Sequence, residues 1–508
     1  MSNRLSFRIA ALVTAALCIV AAMEAWLIGI AGGSIVPQAA AIAAVTAGVW
    51  LGLSAFVPAL VTWPLRKLGL AGLWNRIEGC ESRSAGCPGG GRFTALAVTM
   101  LVSGAICFSA NVFSNALTPP PVHLDDQGAY LERADRMQRA EGPLYTVLSV
   151  MSDLRSGRFR EDNRHPLFLT LLAWRPDERW GRTLAWTFGV AAFVTGVWMV
   201  FRRFSLLTAG IFAMLLGMNF NLGQFSVMVV CETLLIWLVS LAYFVLLPAP
   251  TASRSLGRRR WRILVASTLL GLSFLTKGTG LVFFGVFLAW LAWQCRPRGG
   301  DDIPQEVEDN GVISLVEAYP FRQWVVAMIC GVMGFLAVSE PLLERNLRAF
   351  GNPFHNVNSL LLFADSYGEF DNLVQGGVTT GEAAESFFKR HSFGDLIDRE
   401  LRGLVWEAFI MLRMLGPQGL DDGRVIFGLP IAISCGIGLW FERRPAKWLL
   451  LGWVFVAWVL FAWYVPIAAG DRFPIPLLLP VLAHAAEGMR RILIASQISS
   501  PLAVDVSA

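Results

Sequence analysis

The chain has 508 residues, 55% of them hydrophobic and only 16% charged, with a net charge of +5. Soluble globular proteins carry about 25% charged residues, so an ordinary soluble domain is excluded. Charge beside membrane spans reports topology first, so the small positive excess implies no nucleic-acid partner.

Apolar runs of roughly 17–25 residues cross a hydrocarbon core, and in lipid each such run must be helical. About twelve transmembrane helices are predicted, near 9–32, 36–62, 93–116, 183–200, 206–218, 225–247, 263–276, 279–293, 323–340, 425–441, 448–465 and 473–489. Arg4 and Arg8 precede the first run, which is too long for a signal-peptide core and leads through Ser34-Ile35-Val36 into the second. It reads as a retained anchor. The stretch from Ser82 to Gly91 is rich in Gly and Ser and reads as a flexible loop.

The positive-inside rule orients the chain. With a cytoplasmic N-terminus, the inside segments hold Arg66, Lys67, Arg76, Arg83 and Arg92, then Arg202 and Arg203, then Arg254, Arg258, Arg259, Arg260 and Arg262. They also hold Arg443, Arg444 and Lys447, and finally Arg490 and Arg491. The short outside loops carry only Lys277 and Arg472. Two long segments, 117–182 and 341–424, then fall outside, and the acidic segment 294–322 is an inside linker. None of the eight cysteines falls in the two long outer loops, so no disulfide framework is implied. Cys80 and Cys87 are too few for a zinc site.

The first outer loop opens with His123-Leu124-Asp125-Asp126-Gln127-Gly128-Ala129-Tyr130. Tyr130, Ala134 and Met137 then recur at helical spacing, opposite Glu132, Arg133, Asp135, Arg136 and Arg139. An amphipathic helix at the interface is predicted, with a second surface helix from Pro143 to Leu154. Pro166 suits the first position of a further helix. The run Leu167 to Trp174 is too short to cross and reads as re-entrant or interfacial.

Several residues could carry chemistry. One of Asp125 and Asp126 could act as a general base towards an acceptor hydroxyl, the other orienting it or binding a metal; such proton transfer is worth about 10²–10⁴ in rate. Asp126 could equally cap a helix beginning near Gln127. Lys277 and Arg472 could hold a lipid phosphate at the bilayer surface, or snorkel to it. Glu232 lies within a predicted span, where an ionisable group marks function or pairs with a buried arginine. His165 could orient a substrate anion or satisfy a helix end. His484, inside the last span, reads as a packing residue. No Gly-rich phosphate loop is present, which argues against ATP.

In order along the chain, these residues resemble the GT-C glycosyltransferases, in particular the branch with the protein mannosyltransferases and the lipid A aminoarabinose transferase. The family's Asp-Glu-x-x-Tyr motif is similar to Asp126-Gln127-Gly128-Ala129-Tyr130, and its His/Lys-Pro-Pro-Leu element to His165-Pro166-Leu167-Phe168. Its early-span Glu matches Glu232, its Leu-Thr-Lys element Leu275-Thr276-Lys277, and its Arg-Asn with Gly-Asn-Pro-Phe matches Arg345-Asn346 and Gly351-Asn352-Pro353-Phe354. The closing pattern matches Arg472-Phe473 with Pro476 and Pro480. Gln127 and Leu167 depart from the pattern, and the first two spans have no counterpart in the family's core.

The resemblance implies an all-α polytopic membrane protein whose two long extracytoplasmic loops contain interfacial helices. Residues 1–92 form two extra helices and a cytoplasmic loop, 93–489 the catalytic domain, and 490–508 a cytoplasmic tail. It implies Asp126 as catalytic base, with Asp125 beside it, and Lys277, Arg472, His165, Tyr130, Glu232 and Arg345 as substrate-binding residues. The donor would be a polyprenyl-phosphate-linked sugar and the acceptor a glycan, lipid or protein, with membrane lipids as further partners. Phe283 and Phe284 would line a groove for the lipid tail. No cofactor is demanded; a divalent cation is the one candidate. The location implied is a bacterial inner membrane with both termini cytoplasmic and an extracytoplasmic site. A secondary transporter would show repeated halves, and none is apparent; a non-catalytic scaffold leaves the ordered motifs unexplained.

Overall fold

The computed structural model describes residues 90–117, 124–141, 152, 154–155, 164–247, 256–295, 321–417, 424–467 and 470–498. The two expected spans before residue 90, the surface helix expected at Pro143–Leu154 (of which only Ser152 and Leu154 are described) and the linker 296–320 lie outside these residues. Every regular element among them is helical, apart from a single bridge between Asn219 and Pro417.

In chain order the helices are α1 (Gly90–Leu117), α2 (Leu124–Glu141), α3 (Pro166–Ala173), α4 (Glu178–Arg203), α5 (Leu206–Gly217), α6 (Phe220–Phe225), α7 (Glu232–Leu246), α8 (Leu256–Thr276), α9 (Thr279–Gln294) and α10 (Phe321–Phe350). A 3-10 turn (Val357–Phe363) leads to α11 (Tyr367–Gln375), α12 (Thr380–Arg390), α13 (Phe393–Leu415), α14 (Arg424–Phe441), α15 (Ala446–Tyr464) and α16 (Leu478–Ile498). Five stretches are long and apolar enough to cross a membrane: Phe93–Leu117, Glu178–Arg203, Phe321–Phe350, Arg424–Phe441 and Ala446–Tyr464. Leu206–Gly217, Glu232–Leu246 and Thr279–Gln294 are apolar but shorter.

Local sequence sets the helix ends. Asp177 caps α4 by accepting from the Trp180 amide at 2.8 Å, which satisfies one of the four unpaired donors of a helix start. Ser205 caps α5 and Asn219 caps α6 in the same way. Thr379 with Glu382 and Ser392 with Asp395 form capping boxes at α12 and α13.

Glycine sets how closely helices pack. A Cβ on Gly217 of α5 would run into the Gly104 carbonyl of α1, and one on Gly210 would run into that of Ala97. Gly438 and Gly488 bring α14 and α16 together likewise. Lipid gives no hydrophobic drive to helix association, so close van der Waals contact through small residues supplies it.

Three expectations change. α7 begins at Glu232 rather than near Phe225, because Asn219 caps a separate short helix and the chain turns between Ser226 and Cys231. Glu232 therefore stands at a helix start, not within a span. α2 begins at Leu124, so Asp126 sits inside its first turn rather than capping it. Phe283 and Phe284 are buried: Phe283 packs edge-on against Trp453 at 5.5 Å, and Phe284 stacks on Phe335 at 3.8 Å. Both belong to the buried core of the helices.

The segment after α10 is mostly helical. α13 has two faces: Gly403, Glu407, Ile410 and Met414 are buried, while Phe393, Ile397, Leu401, Val405, Trp406 and Phe409 are exposed. It packs along α14 and α15, whose Ile426, Ile433, Phe455 and Val459 are also exposed. The apolar surface is thus continuous from the spans onto α13.

Candidate active site

Six chain segments meet at one end of the helix bundle. α2 brings Asp126, Gln127 and Tyr130, the turn before α3 brings Arg164 and His165, and the start of α7 brings Glu232. The α8–α9 turn brings Lys277, α10 brings Arg345, and the turn before α16 brings Asp471 and Arg472.

Asp126 accepts from Arg472 Nη1 through one carboxylate oxygen and from Arg164 Nη2 at 2.5 Å through the other. Glu232 is buried and accepts from Lys277 Nζ at 3.0 Å, with Arg472 Nε 3.4 Å from the same oxygen. Arg472 therefore bridges two carboxylates, and Asp126, Arg164, Arg472, Glu232 and Lys277 form one linked chain of charges. In low dielectric such pairs hold one another strongly, while each alone would be costly to bury.

These neighbours set the protonation states. Burial would raise the Asp126 carboxyl, but Arg472, by its charge and its hydrogen bond, and Arg164 together hold it below its ordinary value of 3.8. Burial opposes the charge of Arg472, but Glu232 and Asp126 outweigh it and raise its guanidinium. His165 is pushed down to about 4, chiefly by burial, then by Arg345 and Lys277, against the pull of the Phe274 carbonyl. It is a neutral imidazole at neutral pH, packed edge-on to Phe274 at 5.1 Å.

The surroundings fix the charges in place. Gln127 Oε1 accepts the Val229 amide at 3.0 Å, which ties α2 to the turn before Glu232. Tyr130 is buried, donates to Cys231 Sγ at 3.1 Å and lies under the Arg164 guanidinium at 5.1 Å. Phe473 lies below both Lys277, at 5.6 Å, and Arg472, at 5.9 Å. Arg345 is buried 5.6 Å from the Phe350 ring, and its charge reaches the centre through His165. The side chain of Asp125 lies outside the described residues.

Two contributors were not singled out from the sequence. Arg164 directly precedes the His165-Pro166 element, so its position in that motif was the available signal. Asp471 accepts from Arg413 at 2.8 Å and from Arg424 at 3.1 Å, bracing the turn that carries Arg472. Its partners lie more than 45 positions away, and spacing does not disclose them.

The donor set does not suit a divalent cation. Both Asp126 oxygens face guanidinium groups, and one Glu232 oxygen faces an ammonium and a guanidinium. Among the described residues no three His, Cys, Asp or Glu side chains converge. Hard cations take several oxygen ligands, whereas these carboxylate oxygens face cationic side chains.

No protein-family model and no curated protein sequence matches the chain. Solved structures similar to it include the Archaeoglobus fulgidus oligosaccharyltransferase AglB with an inhibitory peptide and a dolichol-phosphate, at 12% identity and a TM-score of 0.35. That match covers 74% of this chain and 51% of the other. The apo form of the A. fulgidus enzyme gives 12% identity, a TM-score of 0.34 and the same coverage. The chain spans about half the length of the structures it matches.

Proposed function

We propose that the protein is a membrane glycosyltransferase that moves a sugar from a polyprenyl-phosphate donor to an acceptor hydroxyl at the extracytoplasmic surface. The observation that carries this reading is the link from Asp126 through Arg472 to Glu232 and Lys277. A carboxylate able to take a proton lies beside two cations able to take a phosphate, and all three come from distant parts of the chain.

The step runs as one displacement. The acceptor oxygen attacks the anomeric carbon from the face opposite the lipid phosphate. The bond from that carbon to the phosphate oxygen breaks, its electron pair stays on the phosphate, and the anomeric configuration inverts. Asp126 takes the hydroxyl proton. Arg472 and Lys277 stabilise the charge growing on the leaving phosphate, where fixed cations act most strongly.

Among the five linked groups, three are cations (Arg164, Lys277, Arg472) and two are carboxylates (Asp126, Glu232). The excess of one positive charge suits a phosphodiester, which carries one negative charge. Arg472 is shared by the two carboxylates. A donor phosphate that draws it away raises the basicity of Asp126, so donor binding prepares the base.

The test is mass spectrometry of envelope glycolipids and polymers with and without the protein, paired with Asp126→Asn. Loss of one glycosylated species in both the deletion and the variant supports the reading. Full turnover by Asp126→Asn removes the mechanism. Movement of a labelled solute by reconstituted protein, without sugar transfer, would favour a transporter instead.

A further inference from the structure

The chain has six tyrosines against 34 phenylalanines, and three of the six, Tyr130, Tyr367 and Tyr464, gather around the charged centre. A tyrosine is apolar along its ring and polar at its tip, which suits a boundary between greasy and wet surroundings. Two of the three are committed to structure. Tyr130 is buried against Cys231, and Tyr464 donates to the Asn358 carbonyl at 2.7 Å with its ring 5.9 Å from that of Phe473. Tyr367 is different: it is 55% exposed, begins α11, and its hydroxyl feels the charges of Arg472 and Asp126.

The backbone leading to Tyr367 is held from behind. Arg399 donates to Asp365 at 2.9 Å, to the Ala364 carbonyl at 3.1 Å and to the Trp463 carbonyl at 3.2 Å. His391 faces the other Asp365 oxygen at 3.2 Å, and Trp463 Nε1 donates to the Leu362 carbonyl at 2.7 Å. Ser366 caps α11 through the Glu369 amide. The turn before Tyr367 is therefore fastened to the end of α15. The next residue there, Tyr464, packs on Phe473, the neighbour of Arg472. The backbone that carries this exposed ring is thus held in place, as a binding contact needs.

We propose that Tyr367 is an acceptor-binding residue, and that the acceptor is a saccharide whose ring lies on the Tyr367 ring while one hydroxyl reaches Asp126. The proposal rests on the glycosyl-transfer reading above. A pyranose has a face of C–H groups and a rim of hydroxyls. An aromatic ring takes the face, and the Asp126 carboxylate takes a hydroxyl. A peptide acceptor bound as an added strand would need free backbone groups, but the Ala364 carbonyl is taken by Arg399 and the Asp365 amide by Glu369.

The test uses the full chain in nanodiscs of phosphatidylethanolamine and phosphatidylglycerol. The donors are undecaprenyl phosphates carrying glucose, mannose, galactose or arabinose; the acceptors are octyl glycosides and a Ser/Thr-containing peptide. Tyr367→Ala should raise KM for the octyl glycoside about tenfold, the scale of one lost aromatic contact. KM for the donor and the melting temperature should not change, and Tyr367→Phe should restore the acceptor KM because it keeps the ring. An unchanged acceptor KM in Tyr367→Ala, an equal rise in donor KM, or transfer to the peptide alone would overturn this proposal while leaving glycosyl transfer standing. No transfer by the wild-type chain from any of these donors would overturn both.

Discussion

Asp126 and Arg472 lie 346 positions apart in the chain, yet one guanidinium nitrogen of Arg472 donates to one carboxylate oxygen of Asp126. The same guanidinium approaches Glu232 from its other edge. Three charged side chains from distant parts of the chain are thus joined in one cluster.

Removing the base should stop the chemistry and spare donor binding. Asp126→Asn is expected to lower kcat by about 10²–10⁴, the usual worth of general-base help, with donor KM no higher than in wild type, because the donor phosphate no longer competes with the Asp126 charge for Arg472. Single-turnover kinetics with a labelled donor separates the two. A kcat within a factor of two of wild type would remove Asp126 from its role.

Arg472→Lys keeps the charge and loses the fork. A lysine cannot reach Asp126 and Glu232 together, and charge-assisted hydrogen bonds are worth about 1.5–3 kcal/mol. Donor KM is expected to rise about 10–100-fold. Because the donor must draw this group from Asp126, binding should be ordered, donor first. Initial-rate patterns with a non-reactive polyprenyl phosphate check this: competitive inhibition against the donor with noncompetitive inhibition against the acceptor is expected, and uncompetitive inhibition against the acceptor would contradict the order.

His165 and Glu407 give opposite pH signatures. The folded His165 titrates at about 4 against an ordinary 6.5, so the unfolded chain binds its proton more readily. Its contribution is intact above about 6.5 and is lost as pH falls towards 4. Glu407 is buried on α13, and burial, with Asp471 nearby, pushes its carboxyl up to about 8 from 4.5. The folded state holds that proton, so its contribution is intact below about 4.5 and is lost as pH rises towards 8. Melting temperatures across pH should show His165→Gln flattening the acid side and Glu407→Gln the alkaline side. Identical profiles for wild type and both variants would refute the assignment.

Asp471→Asn should lower stability and disturb the site together. It removes the carboxylate that Arg413 and Arg424 share, and breaking the buried Arg424–Asp471 pair costs about 3–5 kcal/mol. A lower melting temperature with a raised donor KM is expected. The control Arg402→Gln breaks the exposed Arg402–Asp398 pair, which is worth little, and should change neither.

Much of the helical layout was legible because long apolar runs in lipid have one regular solution. Each of the ten spans expected after residue 90 overlaps a helix, although α7 and α16 start late and α10 and α16 run on, to Phe350 and Ile498. The residues of the centre were legible as members of ordered motifs; their pairings were not. Nothing in the spacing says that Arg472 reaches Asp126, or that Glu232 meets Lys277, since these contacts depend on how the helices cross. Burial of Phe283 and Phe284 was hidden for the same reason: apolar residues of a span read alike whether they face lipid or protein.

Asp471 and Arg472 are consecutive and face opposite ways, Asp471 towards α13 and α14 and Arg472 towards the carboxylates. A single peptide unit therefore joins α13 and α14, through Arg413 and Arg424, to the carboxylate that Arg472 holds. A shift of α13 along its axis would be felt at Asp126 by this route, with no other residue in between.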